Sequence, residues 1–295
     1  MKDELSTENT RPSVLNARDA ALAELLLALA DDEFVTGYAN SEWTGIAPVL
    51  EEDIAFSSLA QDELGHARLF YELLADVKAL GIRPARSGAV EPPTAGFQPV
   101  TPDQIAYGRP PSGFHHAQLV ERPRGDWAYS VSRQFLYDTA DYVRLDSLRQ
   151  SAYAPLADAA ASIIREEKYH MLHAQTWLER LASGSAEARR RQRQAFDALW
   201  PDALGLFEPL AGEAELLEAK ILPDPFATIQ QRWIASVAAP LRRLGLPFPF
   251  AERDSRWVAL IEPAYGGRRG QHSDYFGELY ENITHVYRLD PQAKW

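Results

Sequence analysis

The stretches Asp62-Glu63-Leu64-Gly65-His66 and Glu166-Glu167-Lys168-Tyr169-His170 carry most of the information about the architecture of this chain. Each contains Glu-x-x-His, and that spacing occurs nowhere else in the sequence. On a helix, residues three apart share a face, so each pair aims one carboxylate and one imidazole at a common point. The flanks are helical in pattern. Ile54, Leu59, Leu64, Leu69, Leu73 and Val77 supply an apolar stripe to a helix predicted from Val49 to Leu80, with Gly81 placed to end it. The second pair lies on a helix predicted from Pro155 to Ser183, closed by Gly184-Ser185.

Each of these helices has a predicted antiparallel neighbour. A helix opening near Asn16, an N-cap residue type, carries Leu22, Leu25, Leu26, Leu29, Phe34 and Val35 and turns back near Pro48. Glu33 and Glu63 each stand 15 residues from that turn, roughly 22 Å along the hairpin at about 1.5 Å per residue. A third helix, Trp127 to Gln150, meets the fourth around residues 152–153, and Asp138 and Glu167 stand level on either side. Two hairpins thus deliver Glu33, Glu63, His66, Asp138, Glu167 and His170 at matching depth. Four carboxylates and two histidines of this kind are the ligand set of carboxylate-bridged di-metal sites in helix bundles. Bridging carboxylates screen two adjacent cations, and oxygen and nitrogen ligands suit iron, with manganese possible. Asp62 and Glu166, four residues before His66 and His170, are candidates to orient the imidazoles, as is His173. The competing expectation is a salt-bridged polar seam, which would bury four like charges at high cost.

Composition narrows the classes. The chain has 295 residues, no cysteine, and 30 basic against 42 acidic residues for a formal charge of −12. Disulfides, thiolate metal sites and thiol nucleophiles are excluded, and neither nucleic-acid nor membrane binding is expected. The N-terminus lacks a signal-peptide core, and the most apolar run, Ala20–Ala30, is too short to span a bilayer; the expected location is cytoplasmic. Residues 1–15 are expected to form a tail and 16–295 a single domain: hairpins 16–80 and 127–184, a crossover 82–126 holding eight of the 20 prolines, and accessory helices over 186–295. The accessory helices are predicted at Glu187–Leu199, Ala211–Ile221, Phe226–Leu244 and Ser273–Arg288. No period-two strand pattern is present.

Several stretches resemble one known family. They are Ala30-Asp31-Asp32, Ser41-Glu42-Trp43, Glu51-Glu52-Asp53-Ile54-Ala55, Arg133-Gln134-Phe135-Leu136-Tyr137-Asp138, Arg165-Glu166-Glu167-Lys168-Tyr169-His170 and Gly267-Arg268-Arg269-Gly270-Gln271-His272-Ser273. Together they are similar to the phenylacetic acid catabolic PaaA/PaaC family, over about residues 16–295. The resemblance implies an all-α, ferritin-like four-helix bundle with additional C-terminal helices. It also implies membership of a multicomponent phenylacetyl-CoA monooxygenase, the ring 1,2-epoxidase. Its implied partners are a homologous ferritin-like subunit, with which it forms a hetero-oligomer, together with a separate reductase and an acyl-CoA substrate. The family has a catalytic type, which carries two iron ions, and a structural type, which docks the catalytic one. The run Arg133–Asp138 and the tail Gly267–Ser273 look like the structural type, whereas the complete set Glu33, Glu63, His66, Asp138, Glu167, His170 looks like the catalytic type. A stand-alone ferritin-like oxidase, self-associating, is the remaining alternative.

Other conspicuous residues are expected to play ordinary parts. His115-His116 reads as a solvated loop pair, Arg189–Arg193 as an exposed helix face, and Gly266-Gly267-Arg268-Arg269-Gly270 as a turn open to partner contacts. Tyr38, Trp43 and Tyr137 are expected to pack in the bundle interior.

Overall fold

A computed structural model describes residues 16–77 and 101–293. Helix α1 (Ala17–Ser41) begins where the Asn16 side chain accepts the Asp19 amide at 2.9 Å. From Ala21 to Gly37 every residue except half-buried Glu24 is buried. A helix covered on all sides belongs at the centre of its domain. Helix α2 (Leu50–Asp76) returns antiparallel against it. The turn between them is held by the Asp53 carboxylate, which accepts the amide of Gly45, whose φ of +84° a β-carbon would strain. The helix stops at Asp76, short of the predicted end at Leu80; Leu80 and Gly81 lie outside the described residues.

Helix α3 (Pro102–Tyr107) lies in the crossover. The second pair is formed by α4 (Trp127–Leu148), capped by the Asp126 side chain, and α5 (Ala154–Ser183), which carries Pro155 in its first turn, where no backbone donor is lost. Helix α2 packs against α5, so the two hairpins meet along the helices that carry the Glu-x-x-His pairs. Helices α6 (Ala186–Gly205), α7 (Glu213–Glu218), α8 (Phe226–Arg243) and α9 (Asp274–Leu289) surround this bundle. The expectation of an all-α, ferritin-like bundle is met. No described helix is long and apolar enough to cross a membrane.

Two local features differ from expectation. A hairpin of two four-residue strands, β1 (Phe250–Arg253) and β2 (Arg256–Ala259), turns through Asp254 and Ser255, both at positive φ. Its strands are too short and too exposed to show an alternating pattern. The described part of the crossover, residues 101–126, is also more than a loop. Thr101 and Gln104 form the capping box that starts α3, and Phe114, His116, Leu119 and Val120 are buried. Of the Gly-Arg turn, Gly267 and Arg268 face inward and are buried. Arg190 and Arg191 stay exposed and pair with Glu187, as a solvated helix face should.

Candidate metal centre

Glu33 on α1, Glu63 and His66 on α2, Asp138 on α4, and Glu167 and His170 on α5 are each at most 3 % exposed. They occupy one interior layer. His66 Nδ1 lies 3.6 Å from Glu33, 3.4 Å from Glu63 and 3.7 Å from Glu167; His170 Nδ1 lies 3.6 Å from Glu63 and 3.0 Å from Glu167. The carboxylates of Glu63 and Glu167 therefore sit between two imidazoles whose ring centres are 6.0 Å apart. Two trios, Glu33-Glu63-His66 and Glu63-Glu167-His170, converge closely enough to hold an ion each, sharing Glu63. Asp138 stands outside both trios but in the same field, since Glu167, His170 and Glu63 act on its carboxyl.

The candidate orienting residues reach across between hairpins. Glu166 of α5 accepts from His66 Nε2 at 2.8 Å, and Asp62 of α2 stands 3.3 Å from His170 Nε2. A ring that donates from Nε2 presents its Nδ1 lone pair when neutral, and in both histidines Nδ1 faces the carboxylates. His173 goes elsewhere. Its Nε2 bonds Glu52 at 2.7 Å and its ring meets the edge of Phe56, so it anchors α5 to the start of α2.

Burial sets the protonation of the layer. Desolvation first, and the neighbouring Glu63 second, push the Glu33 carboxyl up to about 8. Burial lifts Glu167 to about 7, against the pull of His170, and carries Asp138 well above the usual range. Glu63 is held below its ordinary value: burial and the charge of Glu167 raise it, but contacts with Glu33, His170 and His66 outweigh both. His66 rises to about 12: burial opposes its charged form, and Glu33 and Glu63 more than offset that. Protons and imidazolium charge thus balance the layer. Both oxygens of Glu33, Asp138 and Glu167, one of Glu63, and both Nδ1 atoms lack a hydrogen-bond partner. Freed of those protons, this buried layer of unpartnered oxygens and Nδ1 atoms is a donor set that suits a pair of divalent ions.

The carboxylates around the layer are balanced separately. Arg109 pairs with Asp31; Arg268 and Arg144 pair with Asp32; Arg144 also pairs with Asp141. All six residues are buried. Arg144 reaches Glu33 only at 3.9 Å. These arginines were not among the residues expected to act near the layer. Asp31 and Asp32 inside the most apolar helix do signal that cations must come from somewhere. Partners 78, 112 and 236 residues away leave no spacing by which to find them.

His116 corrects another expectation. It is fully buried, bonds Glu121 at 2.7 Å and stacks on His272 at 4.2 Å, with Glu121 also 2.9 Å from His272 Nδ1. Burial raises the Glu121 carboxyl, but hydrogen bonds from both imidazoles overcome it and hold the group down at about 2. The rings are nearly parallel, 16° apart, and both nitrogens approach the same oxygen, Glu121 Oε2, which leaves the three groups close enough together to hold an ion as well. This trio clasps the crossover to the C-terminal segment. Trp43 packs against Phe56 and Trp127; Tyr38 shares a hydroxyl contact with Tyr107; Tyr137 is buried with its hydroxyl unpartnered.

Fold and site together define a ferritin-like helical bundle with a buried carboxylate–histidine layer. Comparison with known proteins agrees on the lineage. The chain belongs to the phenylacetic acid catabolic protein family, PaaA_PaaC, which it matches over residues 6–295. In Escherichia coli (strain K12), the 1,2-phenylacetyl-CoA epoxidase component designated C is 29 % identical to it over 276 residues, covering 93 % of this chain and 99 % of that one. The component of the same epoxidase designated A is 24 % identical over 221 residues, covering 74 % of this chain and 65 % of that one.

Proposed function

We propose that this chain is one component of a multicomponent phenylacetyl-CoA-type ring epoxidase and that its layer holds two iron ions, or manganese, bridged by carboxylates. Glu33, Glu63, Asp138 and Glu167 would supply oxygen ligands, and His66 and His170 one nitrogen each. The observation that carries this is the set of buried, unpartnered oxygens and Nδ1 atoms in one layer. Charge supports it. Arg109, Arg144 and Arg268 balance Asp31, Asp32 and Asp141, which leaves four carboxylates and two neutral imidazoles, and two divalent cations neutralise them. When bound, such a pair supplies the reductive activation of dioxygen that ring epoxidation needs.

The chain's own residues prepare the layer. Asp62 and Glu166 fix each imidazole with its lone pair inward; Arg144 holds Asp141 and Asp32 beside Glu33; α1, buried on all sides, excludes water from one flank. The names of the relatives support a phenylacetyl-CoA-like ester as substrate and a homologous component as partner; a separate reductase would supply the electrons. Metal analysis after anaerobic reconstitution tests the assignment. About two ions per chain are expected, falling with Glu63→Ala or His66→Ala; fewer than one per chain defeats it.

A second role, metal-free docking within the same complex, is favoured by the run Arg133–Asp138 and the tail Gly267–Ser273, both similar to the structural type. It requires no metal, a stable hetero-oligomer, and assembly that survives replacement of Glu63 and His66.

A further inference from the structure

The run Arg133-Gln134 takes no part in the carboxylate layer, yet both residues are 4 % exposed. Arg133 donates to the Arg122 carbonyl; among the described residues no carboxylate pairs with it, and exposed Glu42 acts on its charge only from beyond ion-pair distance. A buried guanidinium without a paired carboxylate is costly. It lines a small, partly open cavity between α1 and α4, together with Thr36, Ala39, Asn40, Val120, Gln134 and Tyr137. Thr36, Asn40, Gln134 and Tyr137 are each more than nine-tenths buried, and each has an unpartnered polar atom: Thr36 Oγ1, Asn40 Nδ2, both amide atoms of Gln134, and the Tyr137 hydroxyl. The set is rich in donors: one guanidinium, two amide NH2 groups and two hydroxyls free to rotate, against two atoms that only accept, the amide oxygens of Asn40 and Gln134. The cavity is small, about 10 Å³, which suits one occupant the size of a water molecule or a halide.

We propose that this cavity is a binding site for a small monovalent anion, chloride under ordinary conditions, held by Arg133 with Thr36, Asn40, Gln134 and Tyr137. Water would satisfy the amides and hydroxyls but leave the guanidinium without a directly paired anion. Thr36 follows Glu33 by three residues on α1, and Gln134 precedes Asp138 by four on α4. A bound anion therefore ties together the two helices one turn away from two carboxylates of the layer. The site is independent of any metal, so its test and the metal analysis fail separately.

The test uses the full chain purified without chloride. Crystals soaked in bromide are expected to show one anomalous peak in the cavity. Melting in bromide, compared with gluconate at equal ionic strength, is expected to raise Tm by about 2 °C at tenfold the dissociation constant. Arg133→Gln should abolish that increment and Arg133→Lys should restore part of it. Thr36→Val, a milder change, should weaken halide affinity several-fold even if Arg133→Gln does not fold. Water, a side chain or nothing in the cavity, or a halide response undiminished in Thr36→Val, overturns the proposal.

Discussion

Arg268→Met removes a guanidinium that is 4 % exposed and makes two parallel hydrogen bonds of 2.8 Å to the oxygens of Asp32. The same head group donates to the carbonyls of Ala28, His115 and Leu206 at 3.0 to 3.3 Å. Methionine fills much of the volume but satisfies none of them. Breaking a buried ion pair from one side costs about 3–5 kcal/mol, mostly because the other charge remains. Here Asp32 keeps Arg144 at 2.7 Å and the Ala117 amide at 2.9 Å, which argues for the middle of that range, about 4 kcal/mol. For a chain of this size that lowers Tm by roughly 6–7 °C. Urea melts of the wild type, both single variants and the pair Arg268→Met/Asp32→Asn would complete a cycle. The double variant should lose about 2 kcal/mol less than the two singles added together. Asp32 also fixes the pH dependence. Burial raises its carboxyl, but Arg268 and Arg144 outweigh burial and hold it below the ordinary value. This stability is therefore present above about pH 4 and is lost as pH falls through the depressed value. A cost under about 1 kcal/mol, or additive singles, would refute the claim that Arg268 holds Asp32.

Three further outcomes follow from the layer. In metal-free protein, Glu33 at about 8 and Glu167 at about 7 bind protons that the unfolded chain has released above pH 4.5, so the layer's contribution to stability should fall between about pH 5 and 8. Added iron(II) or manganese(II) should reverse that slope, and thermal melts with and without chelator read both signs. Asp62→Ala and Glu166→Ala should each weaken metal binding about 10- to 100-fold while barely changing stability, as competition with a chromophoric chelator would measure; unchanged affinity would show that the crossed contacts do not orient the imidazoles. His173→Ala should cost about 1–3 kcal/mol by stranding buried Glu52 and leave metal content intact; lost metal would place His173 in the layer after all.

Much of this was legible in the chain because helical signals are local. The Glu-x-x-His pairs needed only a pitch of about 3.6 residues, and counting from two turns put Glu33 level with Glu63 and Asp138 level with Glu167. Hydrophobic periodicity and Asn16, Gly184 and Ser185 marked the ends of the long helices to within a few residues. The short hairpin at Phe250–Ala259 and the inward fold of residues 101–126 left no such trace, since they are held by packing rather than by a repeat.

Residue order was enough for the bundle, the six polar groups and their common height, because each depends on spacing along one helix or across one turn. Packing in three dimensions settled the rest: which carboxylate contacts which imidazole, that His173 turns to Glu52 and His116 to Glu121, and that Arg109, Arg144 and Arg268 pair with Asp31, Asp32 and Asp141. A buried charge takes its partner from whatever the packed chain brings within about 3 Å, and distance along the chain places no limit on that choice.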